Sequence, residues 1–136
     1  MTRRQCLATR GAVGVMLPGV PRSAAEARAF VRRALGPQHP ALPSVLLAVS
    51  ELATTAITCT CSGLPGGRFM VRLQAAPGAV RACVYDGGPL ARPLTRREDG
   101  EHGRGLLIVD ALAESWGSSP AAGGRCTWCV IGTGAS

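Results

Sequence analysis

The apolar residues Val45, Val49, Leu52, Ala53, Ala56 and Ile57 recur at three- and four-residue spacing, which predicts an amphipathic helix from about Ser44 to about Cys59. Upstream, Ala12 to Leu17 is a short apolar run stopped by Pro18, the pattern of an edge strand. Ser23-Ala-Ala-Glu26 has the spacing of a reciprocal capping box and opens a second predicted helix, whose apolar face is Ala27, Phe30, Val31, Ala34 and Leu35. Gly36-Pro37 stops it, and the proline-rich stretch to Pro43 reads as a loop in which His39 is a solvated residue.

Beyond the turn-forming Ser62-Gly-Leu-Pro-Gly-Gly the period changes to two. Phe69, Val71 and Leu73 alternate with Met70, Arg72 and Gln74, and after the reversal Ala76-Pro-Gly-Ala the residues Val80, Ala82 and Val84 alternate again, predicting a hairpin. Leu90 to His102 is polar, arginine-rich and aperiodic, as expected of a mobile loop. Leu106, Leu107, Val109, Leu112 and Ala113 predict a further helix ending near Trp116-Gly117, with Asp110 on its outer side. A last strand follows the glycine turn, from Gly123 to Ile131, and the tail should fray. Helices and antiparallel strands without strict alternation predict an α+β fold: a two-layer sandwich with helices on one face of a mixed, mostly antiparallel sheet. No repeat or linker divides residues 1–136, so one domain with a core of about 12–131 is expected.

Composition narrows the chemistry. The net charge of +7 comes from 15 arginines with no lysine, and asparagine is absent as well. Lysine-based mechanisms are excluded. The arginines are scattered and the aromatics are few, so a direct nucleic-acid platform is not expected. Arg10 interrupts the run that would follow an export signal, and no stretch approaches the roughly 20 apolar residues of a membrane span, so a cytoplasmic location without membrane contact is expected. Cys59-x-Cys61 and Cys126-x-x-Cys129 have zinc-like spacing. Residues three apart on a strand face opposite sides, however, so the six cysteines read as free thiols, mostly buried.

Three local signals carry candidate chemistry. Glu51 and Thr55 stand one helical turn apart and place a carboxylate beside a hydroxyl. Asp86-x-Gly88 at a strand end offers an acceptor for an amino group on a flat ligand, with a glycine that lets the ligand approach the backbone. Gly103-Arg104-Gly105 precedes a helix, where free N–H groups and the dipole favour an anion and Arg104 adds a cation. Each is weak alone; their order along the chain is more specific.

In that order they resemble the histidine-kinase/Hsp90-like ATPase domain, the Bergerat fold, and within it the small anti-sigma-factor serine kinases of actinomycetes. Ser50-Glu51-Leu52-Ala53-Thr54-Thr55-Ala56 looks like the N box and Val84-Tyr85-Asp86-Gly87-Gly88-Pro89 like the first glycine box. Glu101-His102-Gly103-Arg104-Gly105-Leu106-Leu107-Ile108-Val109-Asp110 looks like the second. The resemblance implies ATP as ligand, with Glu51 as general base, Asp86 on the adenine amino group, Gly88 under the base, and the amides from Gly103 through Arg104 and Gly105 to Leu106 around the phosphates. The loop from Leu90 to His102 would be the lid. It also implies transfer of phosphate to a hydroxyl of an anti-anti-sigma (STAS-type) partner and retention of a sigma factor, and it allows a homodimer.

Departures accompany the match. Thr55 replaces the family's magnesium-binding asparagine and is the remaining magnesium ligand; Thr58 and Cys59 replace basic residues. Cys126 replaces a threonine that supports the adenine aspartate, with Thr127 expected to face away. The alternative reading is a nucleotide-binding or protein-interaction module that keeps the fold without magnesium-dependent turnover.

Overall fold

The computed structural model describes residues 11–90 and 105–134. Strand β1 (Ala12–Pro18) leads to helices α1 (Ser23–Leu35) and α2 (Leu42–Cys59), and a short 3₁₀ turn (Cys61–Gly63) follows. Strands β2 (Arg68–Ala76) and β3 (Ala79–Asp86) form a hairpin. Helix α3 covers residues 105–112 and precedes β4 (Ser115–Ala121) and β5 (Gly124–Gly132). The sheet order is β1-β2-β3-β5-β4, and every pairing is antiparallel. The predicted α+β sandwich is therefore present, and its described strands contain no parallel pair.

The period-two pattern sets the layers. Phe69, Val71 and Leu73 of β2, Val80, Ala82 and Val84 of β3, and Cys129 and Ile131 of β5 share one face. They are buried against Val45, Val49, Leu52, Ala53 and Ala56 of α2 and Ala27, Phe30 and Val31 of α1. Each fully buried large side chain contributes about 1.5–3 kcal/mol. By length and composition α2 is also apolar enough to cross a membrane. Its apolar stripe is instead the centre of this core, and Thr54 and Thr58 lie exposed on its other side.

Helix α2 starts with a proline in its first turn, where the missing N–H costs nothing. His39 is more than a loop residue there: its Nδ1 accepts the Ala41 N–H at 3.1 Å just before the helix.

The capping box predicted at Ser23 is not made. Arg22 already has helical dihedrals (φ −67°, ψ −15°), and no side chain caps the end. Overlapping turns lead in, with Ser23 N–H on Val20 O at 2.9 Å and Ala24 N–H on Pro21 O at 3.2 Å. Pro21 holds the turn that starts the helix early. Ser23 becomes a first-turn residue whose hydroxyl is buried with no hydrogen-bond partner among the described residues.

The last predicted helix is also shorter than expected. It stops at residue 112, and the Glu114 N–H pairs with Val130 O at 2.8 Å, turning the chain into β4. Trp116 and Gly117 therefore belong to a strand. Its sequence, SWGSSPA, has little strand propensity and no clear alternation. Pairing with β5 makes it a strand, and its place at the sheet edge lets it hold Pro120.

Candidate functional site

Helix α2 delivers the polar stripe, and its end builds the floor beside it. Thr60 leaves the helix in an extended conformation; its Oγ1 donates to Ala56 O at 2.7 Å and accepts the Ser62 N–H at 3.0 Å. Ser62, buried, donates from Oγ to Arg68 O at 2.6 Å and accepts the Gly87 N–H at 2.9 Å. The Cys61 N–H binds Gly88 O at 2.9 Å, and Thr60 bridges Pro89. The end of α2 is thus tied to the Asp86–Pro89 turn by main-chain and hydroxyl contacts. The sequence pattern marks Ser62 only as the start of a turn and gives Thr60 no role; Thr-x-Ser directly after a helix and before a glycine-rich turn is the signal for the pair.

In that turn Asp86 Oδ1 accepts the Gly88 N–H at 2.7 Å. Gly88 has φ +87°, which glycine adopts without strain. Gly124 passes directly behind: a Cβ there would fall 1.9 Å from Asp86 O. Backbone lies against backbone where the carboxylate is held, so the turn cannot shift without moving β5.

The first described residue of α3 reaches the polar stripe of α2. A Cβ on Gly105 would lie 3.3 Å from Glu51 Oε1 and 3.6 Å from Thr55 Oγ1. The carboxylate, the hydroxyl and the bare backbone of residue 105 therefore converge, although some fifty residues separate them in sequence. Leu106 follows, half-buried against the core. Gly103 and Arg104 lie outside the described residues, as do the loop from 91 to 102, Cys6, and Glu98, Asp99, Glu101 and His102.

Two further positions bear on the stripe. Thr58, where the resemblance leads one to expect a basic side chain, is exposed and donates to Thr54 O at 2.8 Å, satisfied by its own helix. A cation does approach from α1: Arg28 Nη1 donates to Ser50 Oγ at 3.1 Å, one residue before Glu51.

The register of β5 corrects the expectation for Cys126 and Thr127. Thr127 stands opposite Val84 and Arg125 opposite Asp86, so both share the helix-side face with the aspartate. Thr127 Oγ1 lies 3.3 Å from Ser118 Oγ, which also accepts from Arg125 Nη1 at 3.0 Å. Cys126 pairs with Tyr85 on the opposite face. On the face that carries Asp86, β5 therefore presents Arg125 directly opposite it and Thr127 one same-face position along, and Cys126 removes nothing from that side.

Cys83, Cys126 and Cys129 are buried free thiols; Cys59 and Cys61 are free and half-buried. Burial, and after it the nearby Cys83, push the Cys129 thiol up to about 11. Burial likewise raises the Cys83 thiol and the Tyr85 hydroxyl above their ordinary values. These groups stay protonated and unreactive at neutral pH. Among the described residues no cluster of three or more His, Cys, Asp or Glu is placed to hold a metal ion.

No curated protein matches the chain. Among solved structures, the RsbU and RsbW domains of Rv1364c from Mycobacterium tuberculosis superpose with a TM-score of 0.65 at 22% identity. The match covers 88% of this chain and 32% of that one, so this chain spans about a third of the neighbour's length. At that identity the likeness establishes the fold. The sequence pattern described as a histidine kinase-like ATPase domain matches residues 17–131, from the end of β1 to the end of β5. That span contains α2, the Asp86 turn and the start of α3, and it shows that the chain belongs to the histidine kinase-like ATPase domain family.

Proposed function

We propose that the chain is an ATP-binding regulatory protein that passes a phosphoryl group to a serine or threonine hydroxyl of a partner, with Glu51 as the base. The convergence of Glu51, Thr55 and Gly105 supports this most directly, because it joins a proton acceptor to a helix start suited to an anion. The residues also suit the ligand. Asp86 is held by the Gly88 N–H, and an ionised carboxylate retains acceptor capacity for an amino group. Gly88 and Gly124 let the turn and β5 pack backbone against backbone, which fixes the position of Asp86, and Thr127 supplies a hydroxyl on the same face as Asp86. The amides of Gly103, Arg104, Gly105 and Leu106 would surround the phosphates.

For magnesium, α2 offers a carboxylate and a hydroxyl, both hard oxygens. That set suits an ion that keeps most of its water and takes its other ligands from phosphate, with Thr55 Oγ1 as the protein ligand. Bound ATP would supply the transferable phosphoryl group. Glu51 would receive the proton from the partner's hydroxyl, and the ends of α2 and β3 would hold the base. The sequence resemblance to anti-sigma-factor kinases, together with the structural likeness to the RsbU and RsbW domains, favours an anti-anti-sigma protein as phosphate acceptor and a sigma factor as the retained partner. Dependence on ATP would accord with a cytoplasmic location.

A second reading rests on Thr55 itself. A single neutral hydroxyl is a weak metal ligand, and a module that binds nucleotide or partner without turnover needs nothing stronger. Calorimetric titration with ATP, with and without magnesium, separates the two. The kinase reading requires tighter binding with magnesium and phosphate transfer to the partner; magnesium-independent binding without transfer selects the module. Thr55→Asn, which replaces the hydroxyl by a longer-reaching amide oxygen, should strengthen magnesium-dependent binding about tenfold, roughly 1.4 kcal/mol. No change in binding or turnover would remove Thr55 from the metal site.

A further inference from the structure

The face of the sheet turned away from α1 and α2 has its own chemistry. β2 places Arg68 and Arg72 there and β3 places Arg81, since their neighbours Phe69, Val71, Leu73, Val80 and Ala82 point into the core. No ion pair neutralises these three arginines among the described residues. The described carboxylates lie elsewhere: Glu26, Glu51 and Asp110 on the helices, Asp86 at its turn, and Glu114 at the corner between α3 and β4. Apolar surface accompanies the charge, with Met16 of the adjoining β1 at 53% exposure and Trp128 half-buried.

Trp128 is held in place rather than free. The Arg81 guanidinium lies 5.1 Å from its ring centroid, and a Cβ on Gly117 would fall 2.8 Å from Cζ2. Arg81 also donates to Cys83 Sγ at 3.3 Å. A guanidinium fixed over an aromatic ring has already lost much of its side-chain freedom and presents its donors in one orientation.

We infer that this helix-free face, built on Arg68, Arg72 and Arg81 beside the clamped Trp128, is a docking surface for a protein partner with an acidic, partly apolar surface. Charge complementarity selects that partner. A second copy joined through the same patch would bring arginines against arginines with no carboxylate of the described residues between them. A nucleic acid on a sheet requires two or three open rings for stacking, and Trp128 is taken up by Arg81 and Gly117. The surface lies across the sheet from Glu51, so docking does not depend on nucleotide.

The test uses the full chain and a synthetic amphipathic helical peptide with glutamates on one face and leucines on the other. Binding is followed by the Trp128 indole and arginine Nε–H resonances as salt is varied. Peptide binding that weakens with salt, shifts the Trp128 and Arg81 signals, and falls about tenfold or more in Arg68→Glu/Arg72→Glu supports the surface. Arg32→Glu/Arg33→Glu on the exposed side of α1 should change it little, and ATP titration of the Arg68/Arg72 variant should match the parent. An equal loss in both arginine pairs overturns the inference, since binding would then follow net charge alone. It is also overturned if the Arg68/Arg72 pair governs self-association, or binding of an oligo-dT strand or phosphatidylserine vesicles, while the peptide does not bind. Arg68→Gln/Arg72→Gln repeats the comparison should charge reversal disturb folding, which thermal unfolding checks.

Discussion

The Ser23 hydroxyl is buried on the first turn of α1 and bonded to nothing described, so Ser23→Ala should leave stability unchanged or raise it by up to about 1 kcal/mol in urea unfolding. A loss of about 0.5–2 kcal/mol, the cost of deleting a working cap, would show that the side chain caps the helix in solution. Gly124 is the opposite case. Its missing Cβ would sit 1.9 Å from Asp86 O and 2.9 Å from Gly87 C, all backbone atoms that cannot rotate away. Gly124→Ala should therefore cost about 2 kcal/mol or more and weaken ATP binding, since relief of the clash moves the aspartate. Calorimetry on protein shown folded by circular dichroism separates the binding effect from unfolding. Both residues show a limit of local reading: Ser23 matches a cap pattern that the preceding turns pre-empt, and Gly124 looks like any turn glycine until β3 is placed beside it.

Among the elements, the junction of α2 with the β3 turn joins scaffold to site. Ser62 Oγ bonds both Arg68 O and the Gly87 N–H, so Ser62→Ala leaves two part-buried backbone groups short of a partner. A loss of about 1–3 kcal/mol in urea unfolding is expected, with weaker ATP binding in the folded protein because Gly87 adjoins Asp86. Full stability in the variant would mean that another group or water replaces the hydroxyl. The half-buried Cys59 and Cys61 lie at this junction, and Cys61 Sγ contacts Pro89 O at 3.6 Å. In native protein they should react with a thiol reagent before the buried Cys83, Cys126 and Cys129, as mapped by peptide mass. The strand β4 marks the other side of what local pattern conveys: nothing in SWGSSPA calls for a strand, and pairing with β5 imposes one.

For the whole molecule the buried thiols set a pH limit. Cys129 is raised from its ordinary 9.0 to about 11, so the folded state holds the proton more tightly than the unfolded chain. That contribution, on the order of 2–3 kcal/mol, is fully present below pH 9 and is lost as pH rises towards about 11. Cys83 and Tyr85, also raised, act in the same direction. The urea midpoint should therefore fall between pH 9 and 11, and fall less in Cys129→Val; equal slopes would mean the thiol does not titrate as a buried group. Local physics written along the chain was enough for much of the fold. The period of 3.6 in Val45 to Ile57, the period of two in Phe69 to Val84 and the Pro77-Gly78 reversal each act within a few residues, and they specify α2, the hairpin and which face is buried. Glu51, Asp86 and Gly105 could be named as candidates for the same reason. The meeting of Gly105 with Glu51 and Thr55 could not, because it depends on how α3 packs on α2. Nor could the side on which Thr127 and Cys126 fall, since one residue of register exchanges the faces of a strand and only the pairing of β5 with β3 sets it.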